Sequence, residues 1–165
     1  MIVYHGGVAE VRTPDVNHSK RFLDFGKGFY VTSYPEQAEK WALRKSLRFK
    51  VGRPTVSVYE LNDDLSGRNV LEFRDPEDEL AWLTFVCDCR NGKEDYLKYE
   101  LIIGAVADDD VFKTVDLYRR KVWDIRRTLQ ELRYYRKSNQ IAFITQKALD
   151  ELLSFQSSYV VEKKE

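Results

Sequence analysis

Residues 24–42 read DFGKGFYVTSYPEQAEKWA, and this stretch decides how the rest of the chain is understood. Gly26 and Gly28 stand directly before the strand-like run Phe29-Tyr30-Val31-Thr32. Glycine costs backbone entropy, so a pair at these positions implies a positive φ or a backbone that something must approach closely. One reading is a tight turn entering a strand. The other is a ligand lying against that backbone with Tyr30 beneath it. Ser33-Tyr34-Pro35-Glu36 then has the form of a capping box, with proline in the first turn where its missing N–H does no harm. The helix it opens runs through Ala38, Trp41, Ala42 and Lys45 at helical spacing.

Working outward, Ile2-Val3-Tyr4-His5 reads as a short strand stopped by Gly6-Gly7, and Pro54 to Leu61 alternates as a β-branched strand should. Asp75-Pro76-Glu77-Asp78 starts a helix that carries Leu80, Leu83 and Val86; Arg90 to Lys93 is a turn, and Tyr99 to Val106 is a strand. The longest helix is expected over Val115 to Arg136, with Tyr118, Val122, Ile125, Leu129 and Leu132 on one stripe. Ile141 to Ile144 is a late strand, Thr145 caps a helix through Leu149 and Leu153, and Tyr159-Val160-Val161 forms an edge strand before the charged tail 162–165. Short strands mixed irregularly with helices, without repeats or linkers, predict one α+β domain over residues 1–165.

The composition narrows the function classes. Lys+Arg and Asp+Glu each number 27, so no overall charge advertises a nucleic acid or a membrane. Locally the balance shifts, with Glu60 to Glu79 acidic and Arg119 to Lys137 basic. A basic face bearing Arg119, Arg126, Arg127, Arg133 and Lys137 is read as a solvated surface, or as a contact for phosphates or an acidic partner. Cys87 and Cys89 are one residue apart, poor geometry for a disulfide and too few ligands for zinc, so both are expected as reduced thiols. Asp108-Asp109-Asp110 is read as a solvated turn, because adjacent carboxylates point in different directions and no partner cluster accompanies them. No metal site is expected. Without a signal peptide or a spanning segment, the expected location is the cytoplasm.

Three features share one order along the chain. A histidine ends the first strand in Tyr4-His5-Gly6-Gly7; a tyrosine follows the glycine loop in Gly26-Lys27-Gly28-Phe29-Tyr30, with Trp41 after ten intervening residues; and Ser138-Asn139-Gln140 heads a late strand. This pattern resembles the ADP-ribosyltransferases of the diphtheria-toxin and poly(ADP-ribose) polymerase type, which carry a His–Tyr–Glu triad on three strands. The chain is more closely similar to the DUF3990 family, a bacterial group in the same superfamily associated with toxins of toxin–antitoxin pairs. Shared with that group are Tyr-His-Gly, Asp-Phe-Gly-Lys-Gly-Phe-Tyr, Ala-Asp-Asp and Asn-Gln-Ile, from Val3 to about Phe155.

The resemblance implies an ADP-ribosyltransferase-like core of two split sheets with flanking helices. It also implies NAD as substrate, and His5, Tyr30 and Gln140 as catalytic residues. His5, Gly6, Gly28, Phe29, Tyr30, Trp41 and Gln140 would contact NAD, with Tyr30 and Trp41 stacking on nicotinamide and the Gly6 backbone holding its carboxamide. His5 would bond the adenosine ribose. Cleaving the nicotinamide–ribose bond creates an oxocarbenium-like ribosyl cation, as in glycoside cleavage. Gln140 stands where relatives have glutamate, and its amide brings no negative charge. The implied function is mono-ADP-ribosylation of a macromolecular acceptor, protein or nucleic acid, with an antitoxin protein as a further partner. An NAD glycohydrolase and an inactive interaction module are the competing expectations.

Overall fold

The computed structural model describes residues 1–107, 109–132 and 138–163. Their order is β1 (Ile2–Gly7), β2 (Phe29–Val31), α1 (Pro35–Phe49), β3 (Thr55–Leu61), β4 (Val70–Glu72), α2 (Glu79–Arg90), β5 (Leu101–Gly104), α3 (Asp109–Arg119), α4 (Ile125–Leu132), β6 (Gln140–Phe143), α5 (Gln146–Leu152) and β7 (Leu153–Val160). The fold is α+β, with a three-stranded sheet β1-β3-β7 and a four-stranded sheet β2-β6-β5-β4. Neighbours pair antiparallel except β4 and β5, which are parallel.

Strand alternation sorts β2 between two cores. Phe29 and Val31 enter a cluster with Val3, Tyr59, Leu101 and Phe143, contributed by strands of both sheets. Tyr30 points the other way and joins Phe25, Ile102 and Ala142 under α2, α3 and α4. A third, smaller cluster sets Ala38 and Ala42 of α1 against Val56 and Val161 on the remaining face of the three-stranded sheet. The layers therefore run α1, sheet, sheet, helices. Phe29 and Phe143 are fully buried, each contributing about 1.5–3 kcal/mol by leaving water. Besides this shared core, the two sheets are joined by a bridge pair in which Tyr4 and Thr32 exchange backbone hydrogen bonds of 2.8 and 2.9 Å.

α1 begins with Pro35, but its cap is Tyr34, whose side chain makes no capping bond. The expected capping box at Ser33 does not form, because Ser33 is spent elsewhere. Its N–H donates to Asn139 Oδ1 at 3.0 Å, and its hydroxyl accepts from Asn139 Nδ2 at 2.6 Å. That clamp ties the end of β2 to the residue before β6. α1 stops at Lys50, which adopts the left-handed conformation and returns its N–H to Ser46.

The long helix expected over residues 115–136 is two helices. α3 ends at Arg119, Lys121 takes a φ of 61°, and the N–H groups of Val122 and Trp123 turn back onto the Leu117 carbonyl. Asp124 then starts α4, its carboxylate accepting from the Arg127 N–H at 2.8 Å. Val122, placed on the apolar stripe by periodicity, consequently swings outward into solvent. Arg133 and Lys137 lie outside the described residues. The strand expected over 99–106 covers only Leu101–Gly104, because a 3-10 turn precedes it and Ala105 to Ala107 leave the sheet. The final strand is longer than expected and takes Leu153 from the end of α5. Asp108 lies outside the described residues, while Asp109 and Asp110 open α3. Among the described residues, no helix is long and apolar enough to cross a membrane.

Candidate active site

The bridge between the sheets brings the ends of β1, β2 and β6 together, and α1 crosses above them. A cleft of about 190 Å³ opens there, and among its walls are His5, Tyr30, Trp41 and Gln140. Four of the residues singled out from sequence therefore share one hollow. Gly6, Gly28 and Phe29 do not line it, and each has a packing reason for its identity. A Cβ on Gly6 would fall 2.0 Å from the Ala38 carbonyl oxygen of α1, and one on Gly28 would fall 2.6 Å from that of Phe143. Phe29 is fully buried and stacks on the His5 ring at 4.3 Å.

His5 is 3% exposed. Its Nδ1 lies 2.8 Å from the Tyr30 carbonyl oxygen, which can only accept, so Nδ1 carries the proton and donates. Burial, together with the nearby Lys45 charge, holds the imidazole pKa well below its ordinary value, so the ring is neutral at pH 7. Nε2 is then a lone-pair acceptor, and it is buried with no hydrogen-bond partner among the described residues. It is an acceptor of the cleft left wanting a donor among the described residues.

Tyr30 is 8% exposed, and its hydroxyl is fully employed by the loop before it. It donates to the Gly26 carbonyl at 2.6 Å and accepts from the Phe25 N–H at 3.0 Å. Burial raises its pKa well above 10, so the phenol stays protonated. The glycine loop is thus pinned by the tyrosine that follows it, while the tyrosine ring faces the cleft. Gly26 itself has a φ of 82°, with the Tyr96 ring where a Cβ would sit.

Gln140, 3% exposed, opens β6 opposite Gly104. Its amide nitrogen donates to Asp24 Oδ2 at 3.0 Å and to the Ala105 carbonyl at 3.1 Å. Two acceptors fix the orientation of the amide and leave Oε1, which accepts no bond among the described residues, as the side chain's free acceptor. Asp24 was not singled out from sequence, yet it organises this side of the cleft. Besides Gln140, its carboxylate accepts from Arg90 Nε at 2.9 Å, from Arg90 Nη2, and from the Ala107 N–H at 2.8 Å. Asp24 is 6% exposed and its carboxylate is fully coordinated, as a buried charge must be.

Lys45 was missed as well. It lines the cleft one helical turn beyond Trp41, and its ammonium donates to the Gly6 carbonyl at 2.8 Å. Part of the side chain remains in water, but its charged end is deep enough that desolvation lowers the pKa from 10.5 to about 8. The signal was present in the sequence, since a lysine shares the 38-41-42-45 helix face with two alanines and a tryptophan. Asp24 and Arg90 gave no such local signal, being 66 positions apart.

A larger hollow of about 280 Å³ lies beyond Ala105 and Val106, with Glu72, Asp75, Trp82 and Asn139 in its walls. It collects none of His5, Tyr30, Trp41 or Gln140, so the smaller cleft is the candidate site. Among the described residues, no group of three His, Cys, Asp or Glu is placed to hold a metal ion. Cys87 and Cys89 are both buried and unpaired in α2, with the Cys89 thiol pushed up to about 12 by burial. The family model described as "Protein of unknown function (DUF3990)" matches residues 1–155. No curated protein matches the chain.

Proposed function

The chain belongs to the DUF3990 family, and on that footing we propose that it is an NAD-dependent mono-ADP-ribosyltransferase acting as the toxin of a bacterial toxin–antitoxin pair. The observation that carries the reading is the convergence of His5, Tyr30, Trp41 and Gln140 on one cleft, from three strands and a helix. The donor and acceptor set suits the substrate. A neutral His5 with an unsatisfied Nε2 asks for a hydroxyl donor, which a ribose supplies. Gln140 offers Oε1 to a second ribose hydroxyl, and the half-buried Trp41 offers a flat face to a planar ring.

In this reaction the bond between C1′ of the ribose and the nicotinamide nitrogen breaks, and its electron pair departs with neutral nicotinamide. An oxygen or nitrogen of the acceptor forms the new bond to C1′ and releases its proton to solvent. The protein's part is orientation and water exclusion. Tyr30 lines the cleft and braces the glycine loop behind it, and Asp24 holds the Gln140 amide so that its carbonyl oxygen faces the sugar. No carboxylate is offered directly to the ribosyl cation at Gln140, which removes one preorganised electrostatic partner and lowers the rate on the order of a hundredfold or more.

The test is turnover of labelled NAD with a cell extract as acceptor, comparing the parent protein with Trp41→Ala. The expected result is released nicotinamide matched by labelled adduct, with turnover reduced about tenfold or more when the stacking face is removed. Free ADP-ribose in place of adduct would make the protein an NAD glycohydrolase. No NAD binding by calorimetry would make it an interaction module. Growth arrest on induction in cells, relieved by the same substitution, tests the toxin role.

A further inference from the structure

The cleft contains three charged groups, Asp24, Arg90 and Lys45. Asp24 and Arg90 form an ion pair, and His5 is neutral, so their contributions cancel or vanish. Lys45 is different. Its ammonium rests on the Gly6 carbonyl oxygen and makes no ion pair among the described residues. A cation in that setting lacks its counter-charge, and a ligand that brought one would relieve the penalty of its burial. The neighbouring groups specify more. Trp41, one turn earlier on α1, offers a face for a flat ring, and His5, which lines the same cleft, has an Nε2 that wants a hydroxyl. Ring, sugar hydroxyl and anion within one small cleft describe a nucleotide.

We propose that Lys45 is the anion subsite of the cleft and holds a phosphoryl group of the dinucleotide diphosphate. This rests on the ADP-ribosyltransferase reading for the identity of the ligand, though the chemistry at Lys45 requires only an anion. The lysine is already in position. Its contact with Gly6 uses one of three donors and fixes the side chain, so little freedom remains to be lost when a phosphate oxygen takes another. Desolvation has brought its pKa to about 8, and a bound anion would raise it again. Among the described residues, His5, His18, Tyr30, Asp24 and Arg90 are the other titratable groups around it; Tyr30 stays protonated, and the one carboxylate, Asp24, is already paired with Arg90.

The experiment is calorimetry with NAD, inorganic pyrophosphate and uncharged nicotinamide on the parent protein, Lys45→Arg and Lys45→Met. NAD and pyrophosphate should bind Lys45→Met about tenfold to a hundredfold more weakly, the usual worth of a charge-assisted bond. Lys45→Arg should recover most of that loss, and nicotinamide affinity should not change. NAD binding equally well to the parent and to Lys45→Met would overturn the subsite and leave the transferase reading standing. Lysine-dependent pyrophosphate binding without NAD binding would do the reverse. Should Lys45→Met fail to fold, NMR titration of the Lys45 amine in the parent protein decides: pyrophosphate must raise its pKa, and no rise sinks the proposal.

Discussion

Gly6 and Gly7 are neighbours in β1 with opposite surroundings, so replacing each by alanine isolates one interaction. At Gly6 a new methyl group would sit 2.0 Å from the Ala38 carbonyl oxygen and 2.9 Å from the Ala42 backbone nitrogen. These are backbone atoms of a helix and cannot rotate aside. Ordinary contact begins near 3.4 Å, so α1 must retreat by more than 1 Å, lifting Ala38 and Ala42 from Val56 and Val161. At Gly7 the methyl group would meet its nearest atom, His5 Nε2, at 3.5 Å, an ordinary contact. Neither glycine has a positive φ, so both variants gain the same modest benefit from a stiffer unfolded chain. Overpacking typically costs about 1–3 kcal/mol, and an obstacle made of backbone places Gly6→Ala near the upper end. Gly7→Ala should lie within about 0.5 kcal/mol of the parent. Urea denaturation should therefore separate the two midpoints by about 1–2 M, at a shared slope. Because α1 also carries Trp41 and Lys45, Gly6→Ala should weaken ligand binding as well. Equal stabilities would refute the claim that this glycine exists to seat the helix.

Three further outcomes follow from the cleft. Gln140→Glu would set a second carboxylate beside Asp24 Oδ2, where Gln140 now donates across 3.0 Å, so turnover and stability should both fall. Adding Asp24→Asn exchanges amide and carboxylate and should recover at least about 1 kcal/mol of the loss in a double-mutant cycle. Tyr30→Phe leaves the buried Phe25 N–H and Gly26 carbonyl without partners and should cost about 2–3 kcal/mol, measured by denaturant unfolding. His5 stays neutral in the folded protein, whereas the unfolded chain protonates it below about pH 6.5. The stability it contributes is present above that pH and is lost as pH falls, by about 1.4 kcal/mol per unit at most. The melting temperature should drop below pH 6.5 in the parent, and more shallowly in His5→Gln.

Where periodicity and a local cap agreed, the sequence was legible. β1, β2, β3 and β6 and the cores of α1, α2 and α5 stand where alternation or helical spacing put them. Errors arose where a distant residue claimed a local signal, or where a second local cap interrupted a helical stripe. Ser33 has a capping sequence but bonds Asn139, 106 positions away, and the stripe from Tyr118 to Leu132 is cut by Asp124, which offers α4 its own cap. β4 escaped notice because three residues pairing in parallel leave almost no pattern. At the cleft the positions of His5, Tyr30, Trp41 and Gln140 were picked out by the order and spacing that carry the family resemblance, with only two histidines and three tryptophans in the chain to choose from. Asp24 and Arg90 were not, because a buried ion pair is recognised by geometry and both residue types are common on surfaces. Gly6 and Gly28 were noticed for a ligand's sake, while the folded chain needs them to let its own backbone pass.

The interleaving of the two sheets has a consequence for the order in which a ribosome delivers the chain. β1 and β3 go to one sheet, β2 between them to the other, and β7 closes the first after β4, β5 and β6 have completed the second. Asp24 waits for Gln140, 116 positions later, before its carboxylate is satisfied. No nascent fragment that lacks β6 contains the cleft, and contacts of such long range fold slowly. The cleft is therefore assembled last among the features of the four-stranded sheet, only once β6 has been made.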